Sequence, residues 1–405
     1  MGESVGVLVI VAPGQGSQTP GFLSPWLELP ETADRLNWLS AVAGIDLVEH
    51  GTNSSAETIQ DTAVAQPLIV AAGLVSLLEL FPHPADAYAS VGAGAGHSVG
   101  EITAAAAAGV ITAEQAMVLV RERGRAMASA AAVRATGMSA VLGGDPDEVA
   151  QALREHNLTA ANVNGAGQVV AAGLMPDLAA LKSAQPARSR VIPLRVAGAF
   201  HTEHMSPATG ILSRHARAIT THDARVPLVS NRDGTVIHAG REVLSRIVSQ
   251  ISNPVRWDLC METFADLGVT GLIEIPPAGT LAGLAKRALP GVEIVALKTP
   301  DDLEAARDLV RRHGGTADLA GAPAWRLLVS PSKGRVHRVG PDGTSIEDGT
   351  YVYPGTEVAL VEGRRERHAV RAGHGGTVVE WLVEEGDPVV PGQPLLRMLP
   401  EAAGW

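Results

Sequence analysis

Along most of the chain, short runs of aliphatic and β-branched residues alternate with longer alanine-rich or amphipathic stretches, and glycine or proline punctuates the joins. Val5 to Ala12 is apolar at nearly every position and stops at Pro13-Gly14, which predicts a buried strand entering a tight turn. Ala87 to Ala95 predicts a second strand; it leads into His97-Ser98-Val99-Gly100-Glu101 and then into alanine-rich sequence that reads as helix. Ser139–Leu142, Gln168–Ala172, Arg190–Val196, Val226–Ser230 and Gly271–Ile275 read as further strands, with Thr112–Ala132 and Asp301–His313 as helices among them. Alternation of this kind predicts an α/β layered fold on a mostly parallel sheet.

The texture changes near Gly314. Gly314 to Pro323 is a Gly/Ala/Pro stretch of linker composition, and beyond it short β runs are separated by glycine and proline turns with no helical period. This tail repeats itself. Gly349, Val352, Pro354 and Gly355 answer Gly386, Val389, Pro391 and Gly392, and each half opens on a glycine-anchored strand, Lys333-Gly334-Arg335-Val336 and Gly375-Gly376-Thr377-Val378. Two similar β halves predict a small, closed, pseudo-symmetric module.

Composition narrows the chemistry. The chain has 405 residues, 46% hydrophobic and 19% charged, enough to bury a sizeable core and too apolar for a disordered chain. A net charge of -11 and an aromatic share of 3% argue against a nucleic-acid binder. A single cysteine, Cys260, excludes a disulfide within the chain and makes a thiolate metal cage untenable. The N-terminus lacks the basic segment of a signal peptide, and the alanine-rich stretch after Ile102 meets charge too early to span a bilayer. The expectation is a cytoplasmic protein without membrane or nucleic-acid partners.

Gly96-His97-Ser98-Val99-Gly100 fits G-x-S-x-G between a predicted strand and a predicted helix. The glycines leave room for a serine on a strained turn, and the helix N-terminus behind it favours a developing oxyanion. A plainer role is open to the same residues: Ser98 as a helix N-cap, with Glu101 completing a capping box. A serine nucleophile needs a base. Of 13 histidines, His201 stands out, in Ala199-Phe200-His201-Thr202-Glu203-His204-Met205 directly after the Arg190–Val196 run. His201 and His204 also have the spacing of a metal pair, but no cysteine or carboxylate cluster completes one, so no metal is expected.

These blocks resemble the malonyl-coenzyme A:acyl carrier protein transacylases, the acyltransferase family of fatty-acid and polyketide synthesis. PGQGSQ (Pro13–Gln18), AQP (Ala65–Pro67), GHSVGE (Gly96–Glu101), RGRAM (Arg123–Met127), NVNGAGQVVAAG (Asn162–Gly173), AFHTEHM (Ala199–Met205), SNRDG (Ser230–Gly234), NPVRW (Asn253–Trp257) and EIPPAGTLAGLAKR (Glu274–Arg287) follow in the family's order. The resemblance implies an α/β-hydrolase-like core, residues 1–127 and 199–313, with a ferredoxin-like subdomain inserted at 128–198. It implies Ser98 as nucleophile, His201 as general base, the main-chain carbonyl of Gln250 as the group that steadies His201, and the amides of Gln15 and Val99 as the oxyanion hole. Arg123 stands where the family grips the malonyl carboxylate; a guanidinium suits a carboxylate because both are flat and two-pronged. Gln66, Asn162, His97 and Phe200 match positions lining the site, and Val99 and Phe200 resemble malonyl-using rather than methylmalonyl-using members, although Ala199 replaces the Pro or Ser frequent at that position.

The implied activity moves malonyl from malonyl-CoA to the phosphopantetheine thiol of acyl carrier protein through a malonyl-serine ester. A hydrolase using the same Ser98–His201 pair, which would not need Arg123, and an inert docking protein are the competing readings. After a linker at 314–325, the tail at 326–405 resembles biotinyl/lipoyl carrier domains. The modified lysine of that family aligns with Arg365 in Glu362-Gly363-Arg364-Arg365-Glu366. A guanidinium stays protonated and does not form the amide, so no biotin or lipoate is expected and the module is expected to serve docking or assembly.

Overall fold

The computed structural model describes residues 6–29, 31–196, 198–314, 326–340, 343–364, 366–372, 375–391 and 393–400. Strands β1 (Leu8–Ala12) and β2 (Ala93–Gly96) come first. β3 (Thr136–Gly143), β4 (Thr159–Gly165), β5 (Gln168–Leu174) and β6 (Ser189–Pro193) follow close together. Then come β7 (Leu228–Val229), β8 (Val236–Ile237), β9 (Val255–Arg256), β10 (Gly271–Glu274) and β11 (Glu293–Ala296).

A central sheet runs β11-β10-β1-β2-β7-β8, parallel throughout except for the antiparallel β7–β8 edge. β1 is buried at every position, as expected of a strand covered on both faces. The second sheet runs β6-β3-β5-β4-β9. Its first four members are antiparallel, and helices Pro146–Glu155 and Met175–Ser183 follow β3 and β5, giving the order β-α-β-β-α-β. β9 joins it in parallel with β4, so a strand from beyond residue 250 ties the second sheet to the rest of the core.

Three helices stack beside the central sheet: Thr62–Leu80, Gly100–Ala107 and Ala113–Ala131. Small residues let them approach closely. A Cβ on Gly73 would meet the Thr103 side chain at 2.7 Å, and one on Gly124 would meet the Thr62 carbonyl at 2.9 Å. Thr62–Leu80 is long and apolar enough to cross a membrane, yet most of it is buried inside the protein, where it lies along Ala113–Ala131. The sequence pattern does not single it out, because it is apolar all round and has no helical period to read.

Other elements differ from expectation. Helix Pro84–Ser90 takes the front of the Ala87–Ala95 run, leaving only Ala93–Gly96 as strand. Alanine at alternate positions after Pro84 favours helix, and only Val91 in that run is β-branched. The Arg190–Val196 run ends as strand at Pro193, and Val226–Ser230 pairs only at Leu228–Val229. β4, whose sequence Thr-Ala-Ala-Asn-Val-Asn-Gly lacks a β-branched run, has no strand signal of its own.

Beyond the linker, whose residues 315–325 lie outside the described ones, the chain is all β. Strands β12 (Arg326–Val329), β13 (Gly334–His337), β14 (Tyr351–Val352), β15 (Glu357–Glu362), β16 (Arg367–Arg371), β17 (Gly376–Trp381), β18 (Pro388–Val389) and β19 (Pro394–Pro400) form two antiparallel sheets, β12-β19-β17-β14 and β16-β15-β13-β18. The two sequence halves pair reciprocally: Gly334 of the first lies opposite Val389 of the second, and Val352 of the first opposite Gly376 of the second. Both valines are buried in one core with Val336, Val361 and Val378. Of the repeat positions Gly392 lies outside the described residues, as does Arg365, the residue aligned with the carrier lysine.

Candidate active site

The turn between β2 and helix Gly100–Ala107 is built by exclusion of side chains. A Cβ on Gly96 would sit 1.9 Å from the Gly100 carbonyl carbon, and one on Gly100 would sit 2.2 Å from the Ala12 carbonyl oxygen at the end of β1. Only glycine lets the three segments close to this distance. Between the two glycines Ser98 is held at φ 54°, a left-handed conformation that costs energy for a residue with a Cβ and lifts its hydroxyl off the turn.

Ser98 Oγ lies 2.8 Å from His201 Nε2, and His201 Nδ1 lies 2.8 Å from the main-chain oxygen of Gln250. Because a carbonyl only accepts, Nδ1 carries the proton and Nε2 turns its lone pair to the serine. His201 is also left-handed, at φ 61°, and its backbone N–H donates to the Ile251 carbonyl at 3.2 Å. Burial, with the Arg123 cation beside it, pushes the imidazole down to about 3. It is therefore a neutral base across the physiological range.

Arg123 comes from the middle of helix Ala113–Ala131 and is completely buried. Its Nη1 donates to Gln66 Oε1 at 2.6 Å, and its Nη2 donates to Gln250 Oε1 at 3.0 Å and Ser98 Oγ at 3.2 Å. Its Nε–H has no partner among the described residues. Burial lowers it to about 10, which leaves it cationic at neutral pH. The buried carboxylate nearest this cation is Glu101, raised to about 7 by burial. Glu101 accepts from the Asn231 backbone N–H at 2.7 Å and from Gln250 Nε2 at 2.6 Å. It does not complete a capping box: the helix begins one residue beyond Val99 with no side-chain cap, and the Glu101 carboxylate turns inward instead.

The remaining residues singled out from sequence fall around this cluster. Val99 is the first residue beyond the serine and stands at the N-cap of the helix, whose Gly100, Glu101 and Ile102 amides donate to the His97, Ser98 and Val99 carbonyls. Gln15 lies in the turn after β1; the neighbouring Gly14 packs against His97, and the Gln15 side chain donates to Gln60 O at 3.2 Å and Thr62 Oγ1 at 3.3 Å. Gln66 backs Arg123, as given above. Phe200 is buried next to His201. His97 Nε2 lies 2.9 Å from Asn164 Oδ1 and 3.5 Å from Asn162 Nδ2, and Trp257 meets the ring edge-on with centroids 5.5 Å apart. His204 sits in a separate 3-10 turn, and no cluster able to hold a metal occurs among the described residues.

Asn231 and Asn164 carry contacts that sequence reading does not assign. Asn231 Oδ1 accepts the Ser98 backbone N–H at 2.8 Å, fixing the strained turn and committing that amide, so the next one along, Val99, is the first free to face a substrate oxygen. The signal in the sequence is the SNRDG block, which names the residue without its partner. Chemically the assembly is a serine–neutral histidine pair with a buried cation touching the same hydroxyl. It suits covalent transfer of an acyl group that itself bears an anion.

Comparison with known proteins points the same way. Residues 9–311 match the family model described as acyl transferase domain. The malonyl CoA-acyl carrier protein transacylase of Mycobacterium bovis is 50% identical over 303 residues, 75% of this chain and all of that one. The crystal structure of the Mycobacterium tuberculosis enzyme superposes with a TM-score of 0.72 at 50% identity, covering 74% of this chain and 99% of that one. A malonyl-transacylase solved in complex with its type II polyketide acyl-carrier protein is 29% identical, with a TM-score of 0.69 over 75% of this chain and 99% of that one.

Two outcomes follow from the geometry. Gly96→Ala drives a methyl into the Gly100 backbone and is expected to destabilise the fold by about 3 kcal/mol in urea unfolding, with loss of serine reactivity; an unchanged midpoint would contradict the close approach. The ring-proton resonance of His201 in the substrate-free protein is expected not to titrate between pH 8 and 5. A shift centred in the ordinary imidazole range would show that burial does not hold the ring neutral.

Proposed function

Because this chain belongs to the acyl transferase family and, within it, to the malonyl CoA-acyl carrier protein transacylases, we infer that it transfers malonyl from malonyl-CoA to acyl carrier protein for fatty-acid or polyketide synthesis. The observation that carries the reading is the contact of one hydroxyl, Ser98 Oγ, with both the neutral imidazole of His201 and the guanidinium of Arg123.

In the proposed mechanism Ser98 Oγ attacks the malonyl thioester carbonyl while His201 Nε2 takes its proton. Negative charge on the carbonyl oxygen is met by the Gln15 and Val99 amides, each donor worth about 3 kcal/mol in the transition state. The C–S bond breaks, His201 returns the proton to the CoA sulfur, and malonyl-serine remains. The phosphopantetheine thiol of acyl carrier protein then gives its proton to His201 and attacks the ester carbonyl; the C–O bond breaks and His201 returns that proton to Ser98 Oγ. Arg123 binds the free malonyl carboxylate, and Gln66 and Gln250 hold the guanidinium flat. Asn162, His97 and Phe200 line the remainder. The Gln250 carbonyl replaces the carboxylate of a Ser-His-Asp triad, fixing tautomer and orientation without a second buried negative charge.

The core reads as α/β-hydrolase-like with a ferredoxin-like insertion at 128–198, supported by the parallel central sheet and by the β-α-β-β-α-β order of the second. The tail reads as an unmodified biotinyl/lipoyl-like module, supported by its two reciprocally paired halves and by Arg365 at the lysine position. Lys333 directly precedes β13, which pairs with β15, and its main-chain oxygen lies beside Gly363 at the end of β15; it is not the residue that aligns with the carrier lysine. Docking of an acidic carrier protein falls to Lys286-Arg287, exposed at the end of helix Thr280–Ala288, because Arg311 and Arg312 are already committed to Glu304, Asp308 and Glu293. A cytoplasmic location goes with this function.

Mixing the protein with radiolabelled malonyl-CoA is expected to leave label on the chain, and Ser98→Ala to abolish it; undiminished label would exclude Ser98 as nucleophile. Arg123→Ala is expected to lower malonyl transfer about 10- to 150-fold, the equivalent of a charge-assisted bond, while sparing acetyl transfer. Gln250→Ala removes the side chain and keeps the carbonyl, so it is expected to raise KM for malonyl-CoA more than it lowers kcat. Equal loss of malonyl and acetyl transfer in the Arg123 variant would overturn the carboxylate assignment.

A further inference from the structure

A cavity of about 460 Å³ lies between the transferase core and the β module, lined by none of the groups in the proposed mechanism. On the core side its wall includes Trp38, Leu74, Leu78, Phe81 and Ile111. On the module side it includes Trp381, Leu382, Val390 and Pro391. The residues Val390-Pro391 belong to the second copy of the sequence repeat, whose first copy shows Tyr353 to solvent at 69% exposure. The module therefore presents the apolar version of its turn to the core.

We propose that this cavity binds one long unbranched acyl chain with an anionic head, carried as a free carboxylate or as a CoA thioester. The walls are predominantly apolar, which suits a hydrocarbon chain, with a small number of polar and charged groups among them. An apolar cavity of about 150 Å³ holds benzene, so this one has room for a chain of about sixteen carbons. Head-group chemistry is set by cations on the wall and against its aromatic rings. Arg338 stacks on Trp381 with 5.1 Å to the ring centroid, Arg225 lies over Tyr88 at 5.8 Å, and Arg397 lines the cavity paired with Glu380. Of these three, Arg397 is on the wall itself, while Arg225 and Arg338 lie against lining rings; Arg35, also on the wall, pairs with Glu79 and Glu31, and the second lining carboxylate, Glu114, accepts from Trp38 Nε1 at 3.4 Å.

The cavity also touches the far ends of the helices that carry the active site. Thr62–Leu80 bears Gln66 near one end and Leu74 to Leu78 in the cavity; Gly100–Ala107 starts beside Ser98 and reaches the cavity at Ala106-Ala107; Ala113–Ala131 starts there at Glu114 and carries Arg123. Occupancy and catalysis thus share three rigid elements.

Trp38 and Trp381 give a direct readout on the full-length protein. Titration with palmitate and with palmitoyl-CoA is expected to change tryptophan fluorescence saturably at one ligand per chain, with hexanoate binding at least tenfold more weakly. Leu78→Phe from the core wall and Leu382→Phe from the module wall each fill the cavity. Either is expected to weaken binding at least tenfold while malonyl transfer is retained, so a folding failure in one leaves the other to report. Response to palmitate identifies the free acid as sufficient; response to palmitoyl-CoA alone identifies the thioester, and both support the site. Non-saturable binding, more than one ligand per chain, or binding indifferent to both variants overturns it.

Discussion

A single glutamine holds the reactive centre together with two different parts of itself. The Gln250 carbonyl accepts from His201 Nδ1–H and the Gln250 side-chain oxygen accepts from Arg123, while its amide nitrogen donates to Glu101, Asn231 Oδ1 and the Ser98 carbonyl. An amide that could turn over would present nitrogen to a guanidinium and leave two donors facing each other in a buried space. In its ionised form Glu101 removes that freedom, because a carboxylate only accepts and so binds the nitrogen end.

Electrostatics follows from this arrangement. Arg123 is a buried cation, which is costly unless paired and hydrogen-bonded. It is compensated through Gln250 by Glu101, a step away, so its own prongs remain on neutral acceptors that an incoming carboxylate outcompetes. The same cation, with burial, keeps His201 neutral, and in the proposed mechanism it also holds the substrate carboxylate.

Gly73 and Gly124 let the helices that build the site approach closely, and three of them bring Gln66, Ser98 and Arg123 to one point. Their opposite ends form the floor of the space under the β module. The module itself is organised by its repeat: each half supplies a strand edge that the other completes, so neither half buries its valines alone.

Much of this chain is legible from residue order because local constraints write themselves into local sequence. Glycines two positions either side of Ser98 record a backbone contact, and the paired Gly and Val positions of the tail record a repeated turn. His201 and Arg123 lie in blocks whose family resemblance supplies their roles, and the structure brings both within hydrogen-bonding distance of Ser98. Sequence does not reveal that Glu101 turns inward rather than capping its helix, that Asn231 holds the Ser98 amide across 133 positions, or that Thr62–Leu80 is an interior helix. Those facts depend on which distant atoms meet a side chain once it is buried. A carboxylate near a helix start takes the partners that desolvation leaves it, and only the packed chain decides which those are.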